Sequence, residues 1–462
     1  MLRKLGQFST GIYTNKMFNR EITSELKVWR IKANRKPLIL RGARQVGKTT
    51  LIKQFSENFN QFIYLNLELE EDRRIFENAA SFNELIEAIY FIKNASVSEK
   101  NTLIFIDEIQ NSPAAVKYLR YFYENKPELF IIAAGSLLES LINKEISFPV
   151  GRVEYLALRP FSFTEFLEAG KFNAELEAIK TIPVPAFAHE RLMSLFKKYT
   201  IMGGMPEIVK LLMETNDITE IKKTVNNLLI AYKEDVEKYA KNENQSRIIR
   251  FIIDNAFRFA SERITFNHFG ASNYKSREVS EAFRILEKTM LLSLVYPTTS
   301  TKLPLIRNLK MSPKLQLLDT GMVNLISGIE KEILLEKDLT DTYRGKIAEH
   351  IVGQELLAKE YSPEASLIFW VREKKQSDAE IDFIKNYNGK IIPIEVKSGS
   401  SGKMRSLKIF MNSAKGDLAV RFYSGKFEIT EESSSDGKKF KLLNMPLYLT
   451  SVLNDYLYHY CE

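Results

Sequence analysis

Along the first third of the chain the apolar residues fall into short runs separated by stretches of helical period. The runs are Leu38 to Leu40, "QFIYLNLE" at 61–68, "NTLIFIDEIQN" at 101–111, "LFIIAAGS" at 129–136 and "VEYLALRP" at 153–160. Runs of this length suit buried parallel strands, and the periodic segments between them suit crossover helices, so the pattern predicts a five-stranded parallel sheet wound on both faces. After "RPFSFTEFL" the pattern turns helical. Residues 191–213 read as helix, Gly-Gly-Met-Pro turn, helix, the outline of a lid in which Gly203 and Gly204 form a hinge or a plain turn. A helix at "SRIIRFIIDNAFRFA", the short segment "ITFNHFGAS", a helix whose face carries Val279, Phe283, Leu286 and Met290, and an alternating basic and apolar stretch follow in the order of a winged helix. The last region opens with an amphipathic helix, "GKIAEHIVGQELLAKEY" at 345–361, and continues into a strand pair. The polar stretch "EESSSDGKK" at 431–439 reads as a hairpin turn.

Length and composition narrow the class. At 462 residues the chain holds about three domains of ordinary size. With 45% hydrophobic and 27% charged residues it is globular in composition, and its longest apolar run, "LFIIAAGSLL", is about half of what a membrane span needs. The basic start "MLRKLGQFSTGIYTNKMF" lacks the apolar stretch of a secretory leader, and no membrane partner is expected. A single cysteine, Cys461, excludes an internal disulfide and a cysteine-built zinc cage, and a reducing, cytoplasmic location is expected. The net charge of +8 is compatible with a nucleic-acid partner and equally with simple solubility.

The strongest local chemistry lies in "KPLILRGARQVGKTTLIKQF". Gly42, Ala43, Arg44, Gln45, Val46, Gly47, Lys48 and Thr49 fit G-x-x-x-x-G-K-[ST] between a strand and a helix, with Thr50 in the first turn. Glycines let the backbone close on phosphate, Lys48 would reach the outer phosphates and the Thr49 hydroxyl would ligate Mg²⁺. Asp107 and Glu108 end the apolar run of the acidic strand, where Asp107 would help hold Mg²⁺ and Glu108 would polarise the attacking water. Ser136, at the end of a neighbouring strand, would sense the outer phosphate or cap the helix that follows. Arg152 would stabilise developing phosphate charge, in its own chain or toward a neighbouring subunit.

These motifs, with "AAGSLLES", "GRVEYLALRPFSFTEFL" and "YTIMGGMPEIV", resemble the prokaryotic AAA-type ATPases that carry a C-terminal domain of unknown function with a restriction-endonuclease-like core. The resemblance runs from about residue 20 to the end. It implies an α/β protein with an N-terminal extension over 1–24, a P-loop ATPase core with an AAA+-like five-stranded parallel sheet over 25–170, a helical lid over 171–240, a winged-helix domain over 241–330 and a nuclease-like α/β domain over 331–462. ATP and Mg²⁺ are the expected cofactors.

The C-terminal strand pair carries its own constellation. Residues two apart on a strand share a face, so Glu395 and Lys397 converge while Val396 packs inward, and Asp382 lies a hairpin away. With Glu349 from the preceding helix, this resembles the PD-(D/E)xK nuclease signature, in which carboxylates hold a divalent metal, here a second one, and a lysine orients water. The preferred expectation is an ATPase that couples nucleotide state to a DNA-binding, nuclease-like module. Lys275, Arg277 and Arg284 on the recognition helix and Lys302, Arg307 and Lys310 on the wing are then the phosphate contacts. The competing expectation is a nucleotide-switched interaction protein whose nuclease-like domain is catalytically silent. DNA and further copies of the chain are the candidate partners. His189, His268, His350 and His459 form no ligand spacing, and His350 reads as structural or solvent-facing.

Overall fold

The structure, a computed structural model, describes residues 18–136, 149–237, 240–328, 342–373, 379–399 and 404–461. Most of the N-terminal extension, the helix expected after Ser136 and the expected boundary near 330 lie outside the described residues. Among the described residues no helix is long and apolar enough to cross a membrane.

Five parallel strands form the first sheet: β1 (Leu38–Arg41), β2 (Gln61–Asn66), β3 (Thr102–Asp107), β4 (Phe130–Gly135) and β5 (Glu154–Ala157), in the order β2-β3-β4-β1-β5. Every described pairing between them is parallel, as the apolar runs predict. Helices α1 (Thr23–Ile31), α2 (Lys48–Phe55), α3 (Glu70–Asn78), α4 (Phe82–Ile92) and α5 (Pro113–Asn125) accompany it. Alternate residues along β3 feed opposite faces: Leu103 and Phe105 enter one core, Ile104 and Ile106 the other. A sheet buried on both faces accounts for the unbroken apolar run.

The helical region follows: α6 (Phe163–Ala169), α7 (Asn173–Lys180), α8 (His189–Met202), α9 (Pro206–Glu214) and α10 (Ile218–Glu237). Ser162 caps α6 reciprocally with Glu165, the signal latent in "SFTE". Between α8 and α9 the Gly-Gly-Met-Pro turn is clamped on both sides. Gly204 donates its N–H to Asp319 Oδ2 at 2.6 Å and accepts from Phe161 N at 2.7 Å. A Cβ on Gly204 would lie 2.2 Å from the Phe161 carbonyl oxygen, so the glycine is there for close approach.

Next come α11 (Glu243–Ala256), α12 (Ser276–Lys288), β6 (Leu292–Thr298), β7 (Lys314–Leu317) and α13 (Thr320–Ser327). The segment "ITFNHFGAS", the short strand of a winged-helix order, forms no strand; isolated bridges just before it join Ala260 to Leu315 and Arg263 to Lys314. Val279, Phe283 and Leu286 are buried on one face of α12, as the spacing predicts, whereas Met290 lies past the end of the helix in left-handed conformation at φ 61°. The hairpin β6–β7 is not a free-standing wing: β6 also pairs in parallel with β8 (Ile368–Val371), which pairs with β9 (Glu380–Ile381). One four-stranded sheet, β7-β6-β8-β9, therefore spans the expected boundary between the middle and C-terminal regions.

The rest of the C-terminal region contains α14 (Thr342–Ala358), β10 (Phe383–Tyr387), β11 (Lys390–Val396), α15 (Arg405–Ser413), β12 (Leu418–Tyr423), β13 (Glu428–Ser433), β14 (Lys439–Pro446) and α16 (Leu453–Tyr460). The second five-stranded sheet runs β10-β11-β12-β14-β13 and is mixed. The expected turn joins β13 to β14, with Ser433 opposite Lys439. The expectation of an amphipathic helix at 345–361 is corrected. His350, Gln354 and Glu355 of α14 are as buried as its Ile347, Ile351 and Val352. Its polar residues face other parts of the chain instead of water: Glu355 accepts from Phe163 N at 3.1 Å and from the Tyr199 hydroxyl at 2.5 Å.

Gly204→Ala should lower stability by about 2–4 kcal/mol, because the neighbour it meets is backbone and cannot swing away. A depressed thermal midpoint in calorimetry is the expected outcome; an unchanged one would show that the turn can shift.

Candidate functional site

The carboxyl ends of β1, β3 and β4 bring the first site together. β1 delivers the chain into the loop 42–47, and the two positive-φ residues in it, Gln45 at 63° and Gly47 at 95°, turn the backbone tightly ahead of α2. Lys48 is buried, and its ammonium donates to the Gly42 and Ala43 carbonyl oxygens at 2.9 Å each, curling the loop around it. Burial pushes the Lys48 pKa down, opposed by the charges of Glu108 and Asp107. Thr49 Oγ1 donates to Asp107 Oδ2 at 2.7 Å, so the two expected Mg²⁺ residues meet, and Tyr64 donates to the same oxygen at 3.2 Å. A hydroxyl and a carboxylate at a strand end are the hard oxygen donors that Mg²⁺ takes beside a bound phosphate. Gln45 and Thr50 are exposed on the outside of the loop, while Ala43 and Val46 are buried beneath it.

Glu108 follows immediately, in left-handed conformation at φ 53°. Its carboxylate accepts from Gln110 Nε2, and burial raises its pKa, with Lys48 and Gln110 pulling back. Ser136 follows Gly135, which pairs with Arg41, so Ser136 is buried beside the start of the loop. Arg152 does not join this group. β5 pairs Glu154 with Leu38 and Ala157 with Arg41, which puts Arg152 at the amino end of the sheet, opposite the loop. There it pairs with Glu124 at 3.3 Å. A role for Arg152 at its own chain's loop is therefore corrected.

Several residues at this site escape the motif. Arg20 donates to Val46 O at 3.1 Å and Arg159 O at 2.6 Å, and pairs with Glu165 at 3.0 Å. Arg44 pairs with Asp235 of α10 at 2.7 Å, and the Tyr232 hydroxyl of the same helix donates to Arg44 O at 2.8 Å. Pro206 stands close to Gly47: a Cβ there would lie 3.7 Å from Pro206 Cγ. Their partners lie far apart in the chain, so no short stretch of sequence announces them.

The second cluster gathers Glu349, Asp382, Glu395 and Lys397, as expected, and adds three residues. Asp382 sits at the break between β9 and β10, where it accepts from Val396 N at 2.7 Å. Lys397 donates to Glu395 Oε1. The addition that changes the chemistry is Lys314 of β7, which reaches Glu349 at 2.6 Å, Glu380 at 2.5 Å and Asp382 at 3.8 Å. Arg263 pairs with Glu380 from the other side. Burial raises Glu349 and Glu395 to about 8 each, against the pull of their lysines. Burial also works against the charge of Lys314, but Glu349, Asp382 and Glu380 outweigh it and hold it above its ordinary value. Both partners can rise together because the four carboxylates outnumber Lys314, Lys397 and Arg263, and a proton relieves the excess. Among the described residues no group of three or more His, Cys, Asp or Glu is gathered to hold a metal ion.

Comparison with known proteins gives the class first. Residues 34–167 match the family described as an AAA domain, and together with the sheet and loop this makes the segment a P-loop ATPase domain of the AAA type. Residues 193–333 and 344–448 match two domains of unknown function, DUF8612 and DUF4143. Among individual proteins, the uncharacterized protein MJ1544 of Methanocaldococcus jannaschii is 27% identical over 417 residues, covering 87% of this chain and 82% of its own. Solved structures with partial matches include the Walker-type ATPase PABY2304 of Pyrococcus abyssi (15% identity, 67% of this chain and 96% of that one, TM-score 0.45). The RuvB Holliday junction branch migration motor of Thermotoga maritima is another (18% identity, 63% and 93%, TM-score 0.28).

His350 is fully buried and structural. Its Nε2 accepts from Leu317 N at 3.0 Å and its Nδ1 meets Thr320 Oγ1 at 2.7 Å, so the ring is neutral, and burial lowers its pKa to about 3. Between its ordinary 6.5 and about 3 only the unfolded chain binds this proton, so stability falls as pH drops through that window. The slope is at most about 1.4 kcal/mol per pH unit. The thermal midpoint of the wild type should fall more steeply below pH 6.5 than that of His350→Gln; the raised carboxylates act with the opposite sign and cancel in the comparison.

Proposed function

We propose that the chain is an ATP-hydrolysing switch, in which the nucleotide held at 42–50 sets the position of the helical region and, through it, of a catalytically silent C-terminal module. The observation that carries this reading is the grip of α10 on the loop: Asp235 holds the Arg44 side chain and Tyr232 holds the Arg44 carbonyl. Phosphate entering the loop must compete with or reorder these contacts. A further bond, Arg41 Nη2 to Lys288 O at 3.2 Å, ties the strand before the loop to the end of α12.

In this reading Lys48 and the loop N–H groups bind the outer phosphates, and Thr49 and Asp107 hold Mg²⁺, which supplies charge neutralisation. Glu108 orients the attacking water, Gln110 fixes its carboxylate, and Ser136 senses the outer phosphate. Arg152, remote from its own loop, would act only on a neighbouring subunit. The organisation is an ATPase core, a helical lid, a winged-helix-like segment built on α11, α12 and β6–β7, and a nuclease-like module.

A DNA-processing role is the second reading. It is favoured by the exposure of Lys275, Arg277 and Arg284 around α12 and of Lys302, Arg307 and Lys310 between β6 and β7. Phosphate contacts release counterions, so such binding must weaken steeply with salt.

Two outcomes are expected. Glu108→Gln should keep ATP binding by calorimetry and lose hydrolysis by about a hundredfold or more, whereas Lys48→Ala should lose binding itself. Titration of fluorescent duplex and single-stranded DNA at low salt should give no saturable binding if the first reading holds. Salt-dependent binding lost in Arg277→Ala/Arg284→Ala would move the assignment to DNA.

A further inference from the structure

The resemblance to metal-dependent nucleases puts a divalent ion among Glu349, Asp382 and Glu395, and the residues present do not fit one. The centre of the acidic cluster is taken by the chain's own Lys314. Its side chain is 8% exposed, its backbone is fixed in the ladder to β6, and the Phe369 ring lies 5.0 Å from its ammonium. Three carboxylates from α14, β9 and the β9–β10 break surround it at ammonium distances, 2.5 to 3.8 Å. Mg²⁺ demands oxygen ligands at about 2.1 Å in near-octahedral array, so the same carboxylates would have to close inward onto a position beside a buried positive charge. Lys397 serves Glu395 Oε1, while Glu395 Oε2 is buried without a hydrogen-bond partner.

We infer that Lys314 is the resident cation of this site: an intramolecular ammonium, contributed by the β6–β7 hairpin, that occupies the place of a divalent metal and closes the nuclease-like module. The inference deepens the silent-module reading and rests on it. The lysine arrives from the polypeptide segment that precedes the module, so the same contact that neutralises the carboxylates also fastens β7 to α14 and β9. Removal of the ammonium leaves Glu349 and Asp382 without their cation, and a divalent ion is then able to enter beside them.

The test uses the full chain without nucleotide, so its result is independent of whether the ATPase reading stands. Thermal midpoints are measured for wild type, Lys314→Met and Lys314→Met/Asp382→Asn, with and without millimolar MnCl₂, alongside Mn²⁺ titration by electron paramagnetic resonance. The wild type should show neither a midpoint shift nor Mn²⁺ binding that depends on Asp382. Lys314→Met should be destabilised, recover with Mn²⁺, and bind the ion at least about tenfold more tightly than the double variant, a difference of about 1.4 kcal/mol. Wild-type Mn²⁺ binding that disappears in Asp382→Asn would overturn the inference. So would Lys314→Met protein that Mn²⁺ fails to stabilise or to refold.

Discussion

The arrangement of the whole chain depends on one buried polar network where its regions meet. The Tyr199 hydroxyl of α8 lies 2.7 Å from Phe161 O, just after the first sheet, and 2.5 Å from Glu355 of α14, two acceptors for its single proton; Gln354 donates to the same hydroxyl at 3.1 Å. Asp319 accepts from Gly204 and from Met322 at 3.0 Å, and Thr320 donates its N–H to Gln354 at 2.7 Å. Buried carboxylates are tolerable only when their oxygens are bonded, and burial nonetheless raises Asp319 to about 6 and Glu355 to about 7. Because each acid is satisfied by a different region, none of those regions can shift without orphaning a buried polar atom. The network therefore joins the segment after the first sheet, the helical region, α13 and α14.

That linkage gives the switch reading its physical content. Arg20 and α10 are both bonded to the loop, so in the proposed reading a change at the loop reaches the helical region directly. The second cluster follows the same logic, with α14, β7 and β9 fastened through Lys314. In both places a cation from one region satisfies acceptors or acids from another, and long-range position is set by charge pairing where water is excluded.

What the sequence made legible is local. The strand, glycine loop and helix around Lys48, the acids at the end of β3 and the β13–β14 turn are each written within one short stretch of the chain, and each is found in place. The four C-terminal residues also come together, because strand alternation fixes Glu395 and Lys397 and a hairpin brings Asp382. Arg152 was misplaced because proximity to a strand does not say which end of the sheet the strand presents. The polar residues of α14 suggested water, but their partners Phe163 and Tyr199 lie far earlier in the chain. Lys314 was invisible for the same reason: "KLQL" reads as an ordinary strand, and its acids arrive 35 and more residues later.

The shared sheet β7-β6-β8-β9 bears on how this protein can be dissected or rearranged. A fragment beginning after the middle region would carry β8 without β6, leaving its backbone donors and acceptors as an open edge ready to pair with another chain. A fragment ending before residue 342 would expose β6 in the same way. Gene fusions, truncations or natural shuffling that respect only the outline of separate modules would thus generate sticky halves. The shared sheet means the chain has to be handled as a single piece.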